Sequence, residues 1–373
     1  VSDQATRIRP IEARDIDAVA DLFASIMLAW SKPATNDLRQ FLRQHFIDGP
    51  FADPALPSLV FEQDNAVEGF IGVTAQDLAT SDRSYKAAIA CALMVRDHAA
   101  NPLAGARLLR AMLAGTQDLT LTETAGDETL GMLRSQGGVP LPQHSMTWLR
   151  VLHPARFAVD FAAKRLPPLG ITKPLARFVD SRKRQPAPGA PLKWSRWVPT
   201  APQKGISVQP ISPTDFFDLT ADLTQPYDIR PHWSDAGRAA MLAEMQSKRL
   251  HGDLQLAKVA TASGRPLAVA AYYLTREKSA HLLQLLARPG QEGIALDALF
   301  AEAHERDAIA LQGRTDPRLM NALLGRRVFM VNESSSVVHS RNAELVDTFV
   351  SGRALMNGLV GERWSRLVGD RFD

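Results

Sequence analysis

The chain has 373 residues, 45% of them hydrophobic and 22% charged, with a net charge of +3. That length and balance suit a globular protein of two domains whose cores need no disulfide or structural metal, and with Cys91 as the only cysteine no intramolecular disulfide can form. The charge is uneven: Pro154–Lys204 holds 11 Lys or Arg against 2 Asp, which leaves the rest of the chain acidic. Residues Val1 to Arg9 lack the apolar run of a signal peptide, and no stretch reaches the roughly 18 apolar residues of a membrane span. The expectation is a soluble, cytoplasmic protein.

In chain order, Ile8-Arg9-Pro10-Ile11 reads as a short strand, followed by an amphipathic helix capped near Asp15. Ala24–Trp30 and Asp37–Phe46 read as further helices. Leu59–Glu62 and Val67–Val73 form a hairpin with Asp64-Asn65 at the turn. Ala87–Val95 is a fully apolar strand. A loop and the helix Pro102–Leu113 follow, then a strand at Asp118–Glu123 and a helix ending at Gly137. Phe157 and Phe161, four apart, predict a short helix, and Pro186–Pro191 predicts an extended connector that Trp194 and Trp197 pin at its far end. The pattern then returns. Val208-Gln209-Pro210-Ile211 and Asp215 repeat the opening 200 residues later, and Ala280–Ala287, Glu292–Ala303, Asp307–Gln312 and a helix ending at Gly325 repeat the remainder at an offset of 188 to 189. A repeat of this size is a whole domain. The expected map is a first domain at 1–153, a basic Pro-rich linker at 154–203 and a second domain at 204–373. The linker's charge also suits an anionic surface, although a solvated connector explains it as well.

This order of strand, helices, hairpin, apolar strand, glycine turn, helix, strand, helix, strand resembles the GNAT (GCN5-related N-acetyltransferase) superfamily. The expected fold class is therefore α/β (α+β), two tandem GNAT-like domains, each a mixed, mostly antiparallel sheet flanked by helices. In GNAT enzymes the loop after the fourth strand carries Gln/Arg-x-x-Gly-x-Gly/Ala, and its N–H groups with the following helix N-terminus hold the CoA pyrophosphate. The matching segment here runs from Met94-Val95 through Ala100, Leu103, Ala104, Gly105 and Ala106. It keeps the loop length and Gly105. Ala100 replaces the Gln/Arg, Leu103 replaces the first glycine and adds a Cβ, and Pro102 removes a donor. The resemblance implies acetyl-CoA or another acyl-CoA as co-substrate for the first domain. The second domain's loop, Arg288–Ala295, is about four residues shorter and places Glu292 where a pyrophosphate would sit. It reads as degenerate, with a structural or acceptor-shaping role.

Acyl transfer needs a base for the amine, a donor for the carbonyl oxygen and an acid for the leaving thiolate. The family's acid is often a tyrosine four residues before a Gly-Phe pair; Leu133 and Asn321 stand at those positions. The candidate catalytic residues are Glu123, at a strand end, and His98, in the cofactor loop. Each has a plain alternative as a solvated surface group. Cys91 reads as a packed side chain, and one of Tyr272 and Tyr273 as core. His281 reads as a satisfied buried histidine. Trp30, Arg39, Arg43 and His45 are placed to meet an acceptor or to form an ordinary helix surface. No His-x-x-x-His, phosphate-loop or Gly-x-Ser-x-Gly pattern occurs, so no metal is expected. The leading function is a CoA-dependent N-acyltransferase acting on a small-molecule amine, with nucleic acid not expected as a partner. The alternatives are a non-catalytic ligand-binding or scaffold protein and a Fem-type aminoacyl transferase.

Overall fold

A computed structural model describes residues 6–166, 168, 172–181 and 203–372. Pro186–Pro191, Trp194 and Trp197 lie outside them. The chain opens with β1 (Thr6–Pro10), α1 (Ile16–Leu22) and α2 (Asn36–Arg43). The strands β2 (Leu59–Gln63), β3 (Ala66–Ala79) and β4 (Ser84–Val95) follow, then α3 (Ala104–Leu113), β5 (Leu119–Ala125) and α4 (Asp127–Ser135). Next come β6 (Val139–Pro140), α5 (Pro142–Ser145), β7 (Met146–Val151), α6 (Pro154–Ala163) and α7 (Lys173–Ser181). The second copy runs β8 (Ile206–Pro210), α8 (Pro213–Leu223), β9 (Arg230–Pro231), α9 (Asp235–Ser247), β10 (Asp253–Thr261), β11 (Pro266–Leu274) and β12 (Ser279–Ala287). It ends with α10 (Glu292–Glu305), β13 (Ala310–Arg314), α11 (Pro317–Leu324), β14 (Phe329–Asn332), β15 (Ser335–Ser340) and α12 (Ala343–Val350).

Two compact units result, and neither is continuous in sequence. The first comprises Val1–Ser145, Tyr227–Ser247 and Glu333–Asp373; the second comprises Met146–Pro226 and Lys248–Asn332. This division departs from boundaries at 153/154 and 203/204, and strand pairing is the reason. β15, from late in the chain, enters the first sheet between β5 and β6, giving the order β1-β2-β3-β4-β5-β15-β6, with β9 on the far part of β3. β7, from the middle of the chain, enters the second sheet, of order β14-β7-β13-β12-β11-β10-β8. Each sheet is antiparallel except for one parallel pair, β4 with β5 and β12 with β13. The helix expected around Phe157 and Phe161 is α6, where the two rings stack at 6.5 Å; α7 adds a second helix to the connector.

Local chemistry explains the elements that position the first unit. Asp64 and Asn65 both take positive φ, of 51° and 64°, as the tight hairpin turn between β2 and β3 requires. Thr35 caps α2 by accepting the Leu38 N–H at 3.2 Å, a contact that contributes about 1 kcal/mol. Gly137, at φ 88°, ends α4, with Gly138 N–H returning to Leu133 O at 2.8 Å. Alternation along β3 and β4 sends residues to opposite faces. Phe70, Cys91 and Met94 pack on Phe23, Leu38, Phe41 and Phe46 beneath α1 and α2. Ile71, Val73, Ala88 and Ala90 pack on Leu108, Leu109 and Met112 of α3. Each large side chain so buried stabilises the fold by about 2 kcal/mol.

Candidate active site

The parallel pair β4–β5 begins in register and then parts. Only Ala87↔Leu119, Ala88↔Thr120 and Ile89↔Leu121 are paired. Beyond them β4 carries a bulge: its register against β3 shifts between Phe70 and Gly72, and Ala92 adopts φ 47°. A bulge bends its strand and sharpens the twist, so β4 turns away from β5. Gly72 permits this packing. A Cβ there would lie 2.6 Å from the Phe46 ring and 2.9 Å from Cys91 Sγ.

The cleft that opens has a volume of about 90 Å³, with Ile71, Leu93, Leu109 and Leu133 among its apolar walls and Cys91, Thr122, Thr124 and Thr129 as its polar lining. Cys91 is buried, and burial, followed by the negative charge of Glu362, raises its thiol well above the ordinary value. It is a packed thiol, not an activated nucleophile. Behind the threonines stands Glu362. Its Oε1 accepts the Thr124 hydroxyl at 2.6 Å, the Thr122 hydroxyl at 3.3 Å and the Glu123 N–H at 3.4 Å. Burial raises the Glu362 carboxyl to about 7, with the Glu123 charge adding to the rise and the Thr124 bond opposing it.

Glu123, expected as a base, has a different job. It is fully buried. Its Oε1 accepts the N–H groups of Glu362 at 2.9 Å and Arg363 at 2.7 Å, and Oε2 accepts that of Gly358 at 3.4 Å. A Cβ on Gly361 would lie 2.4 Å from this carboxyl, so the glycine is needed for the close approach. Glu123 therefore anchors the irregular segment that carries Glu362 and is not among the cleft-lining residues.

His98 is exposed and bonds Glu128 of α4 through Nε2 at 2.5 Å, joining the loop after β4 to the helix after β5. Met94 is buried beneath α1 and α2 and Val95 is half-buried toward α3. Ala100 and Leu103 are exposed, and Ala104 and Gly105 are buried in the first turn of α3 with half-buried Ala106 beside them. The Ala100 N–H already goes to Asp97 Oδ1 at 2.9 Å, and the N–H groups of Asn101 and Ala104 return to loop carbonyls. A Cβ on Gly105 would meet Met132 at 3.6 Å and Leu93 at 3.9 Å, ordinary contact distances. None of these seven residues is among those lining the cleft, to which β4 contributes Ala90, Cys91, Ala92 and Leu93.

The other polar candidates are engaged. Arg39 pairs with Asp17 and Arg43 with Asp48, at 2.9 and 2.8 Å, and Trp30 carries Lys32 over its ring. His45 is buried between Glu244 Oε1 at 2.8 Å and Thr74 Oγ1 at 3.1 Å. Burial works against the charge of Glu244, yet His45 and the Arg366 N–H hold its carboxyl below the usual range.

In the second unit the parallel pair extends further along the equivalent of β5. The repeat register Asp118–Glu123 with Asp307–Gln312 makes Gly313 the counterpart of Thr124. β12 and β13 remain paired through Leu282↔Gly313. A Cβ on Gly313 would lie 3.1 Å from Trp148 Cζ2, and that indole is fully buried. At the start of α10, a Cβ on Gly293 would lie 2.6 Å from the Arg326 guanidinium, which is held on Asp297 by two bonds of 2.8 and 2.7 Å. Tyr272 and Tyr273 are both buried. His281 is half-buried, stacked on His251 at 3.7 Å and 2.9 Å from Gln312 Nε2. Among the described residues no group of three or more His, Cys, Asp or Glu is placed to hold a metal, and no helix is long and apolar enough to cross a membrane.

No protein-family model and no curated protein matches the sequence. Solved structures do match the fold. A GCN5-related N-acetyltransferase from Kribbella flavida aligns over 91% of this chain and 72% of its own, at 11% identity and a TM-score of 0.56. A conserved protein of unknown function from Enterococcus faecalis, described as a probable N-acyltransferase, aligns over 90% and 73%, at 8% identity and a TM-score of 0.57. A GCN5-related N-acetyltransferase from Anabaena variabilis aligns over 91% and 74%, at 9% identity and a TM-score of 0.56. The chain thus has the GNAT fold, built on two mixed, mostly antiparallel sheets flanked by helices.

Proposed function

We propose that the chain is a CoA-dependent N-acyltransferase that takes acetyl-CoA or another acyl-CoA into the cleft of the first unit and acylates a small-molecule amine. The parting of β4 from β5 at the Ala92 bulge carries this reading. Beyond Ile89 the backbone of β4 facing β5 has no ladder partner among the described residues, and buried backbone polar groups demand partners. An amide-bearing, extended arm such as pantetheine supplies them. The apolar walls suit its methylenes, and the N–H groups of Gly105 and Ala106 at the start of α3 suit an anion. The Asp97 carboxylate on the Ala100 amide leaves that end of the loop less favourable to phosphate. A bound acyl-CoA brings an activated thioester. The chain's own contribution is to orient it along β4 and to exclude water with Leu93, Leu109 and Leu133.

His98, already bonded to Glu128, is assigned to the cleft's outer lip, and Glu123 to anchoring. The second unit, with β12 and β13 paired through Gly313, is assigned a supporting role. Leu133 at the position of the family's tyrosine favours a second reading, a non-catalytic ligand-binding protein. Thiol release from acetyl-CoA in the presence of a panel of primary amines separates the two. Turnover that is lost in Gly105→Trp supports the enzyme. Tight acetyl-CoA binding without turnover on any amine supports the second reading.

A further inference from the structure

We propose that Glu362, acting through the Thr124 hydroxyl, is the proton acceptor for the acyl transfer, a role that rests on the acyltransferase reading. The geometry is specific. Thr124 is half-buried and lines the cleft. Its hydroxyl donates to Glu362 Oε1 at 2.6 Å, a length typical of a charge-assisted bond. Thr122 supports the same oxygen from the residue two before it. The carboxylate is only 2% exposed, so its route to the cleft runs through a threonine. It is held there by the Glu123 anchor, which grips the N–H groups of Glu362 itself and of Arg363.

The step balances. The neutral amine attacks the thioester carbonyl and its nitrogen becomes cationic as the C–N bond forms. That nitrogen gives a proton to Thr124 Oγ1 while Thr124 passes its own proton to Glu362. When the C–S bond breaks, the thiolate recovers the proton by the reverse route, leaving amide and free CoA. The charged groups acting on Glu362 are Glu123 on β5, which disfavours its charge, and Arg363 beside it, which favours it. Cys91 on β4 lies within the field of its charge. A carboxyl near 7 is matched to proton transfer at neutral pH.

The test has two arms that separate this idea from the reading beneath it. The first is isotope-edited infrared titration of the ligand-free protein. A carboxyl band titrating between about pH 6 and 8, absent in Glu362→Gln, is expected; an ordinary carboxyl titration near 4.5 overturns the proposal whether or not the protein turns over. The second arm uses acetyl-CoA and a primary amine. Glu362→Gln is expected to lower kcat by about 100-fold with KM for acetyl-CoA unchanged, and to remove the acid limb of the pH profile. Thr124→Val is expected to behave alike and Thr124→Ser to restore the rate. A Glu362→Gln enzyme that keeps kcat and the acid limb overturns the relay while leaving the acyltransferase reading intact.

Discussion

The two copies share an element order and a bulged strand, but their parallel strand pairs end at different points. In the first, β4 and β5 stop pairing at Ile89↔Leu121. In the second, the pairing runs on to Gly313, under Trp148. The bulge recurs, with a register shift between Ala271 and Tyr272. What differs is whether the neighbouring strand follows. Thr124, with a carboxylate behind it, keeps the first gap polar, whereas Gly313 accepts an indole over its face. The openings of the two copies differ in the same way. Arg9 is clasped between Asp15, at 2.6 Å, and Glu62, and the Asp15 carboxyl, despite burial, is held below its usual range by Arg9 and the Glu12 N–H. In the second copy Gln209 reaches only Ser207, on the surface.

These differences can be broken one at a time. The largest expected effect is on cofactor affinity. Gly105→Trp fills the start of α3 and should weaken acetyl-CoA binding by roughly 100-fold or more, about 3 kcal/mol. Gly293→Trp should leave that binding unchanged and cost stability through displacement of Arg326; calorimetry and urea titration read the two. Next, Arg9→Ala removes the shared partner of Asp15 and Glu62, and urea denaturation should show a clear loss of stability. The matching Gln209→Ala should change stability by less than about 0.5 kcal/mol.

Acidity sharpens the comparison further. The Glu362 carboxyl, raised from 4.5 to about 7, favours the fold while protonated. Its contribution is complete below 4.5 and is lost as pH rises through 7. Glu362→Gln should therefore be more stable than the parent at pH 8, by about 2–3 kcal/mol, and similar to it at pH 4. In the second unit His153 is lowered to about 4 by burial, with the charges of Arg156 and His304 adding to it. Its contribution is present above 6.5 and is lost as pH falls through 4, the opposite dependence; His153→Phe should blunt it in an acid-denaturation series. A smaller effect than at Glu362 is expected from Gly361→Ala, whose methyl meets the Glu123 carboxyl and should cost about 1–2 kcal/mol of stability in thermal unfolding.

The elements with local signatures were legible in the sequence. The Asp64-Asn65 turn, the apolar strand ending at Val95 and the α3 start around Gly105 each follow from residue chemistry at those positions. The exchange of β7 and β15 was not. Met146–Val151 and Ser335–Ser340 each follow one copy in sequence yet pair in the other unit's sheet, and the choice of sheet is a tertiary matter that no local pattern records. Glu123 reads in the sequence as a base or a solvated carboxylate at a strand end, whereas it is buried within β5 and its partners Glu362 and Arg363 lie about 240 residues away in sequence. Glu362 escaped notice because it sits in an irregular segment. The available signal was the apolar content of Ala354 to Trp364, almost all of it buried, which is unusual for a stretch with neither helix nor strand periodicity.

The central claim is that one copy, the first, holds an acyl-CoA. Calorimetric titration of acetyl-CoA into the protein, the Gly105→Trp variant and the Gly293→Trp variant tests it directly. One site per chain, lost only in Gly105→Trp, is the predicted result. No binding to any of the three, or binding lost with Gly293→Trp and kept with Gly105→Trp, would contradict it.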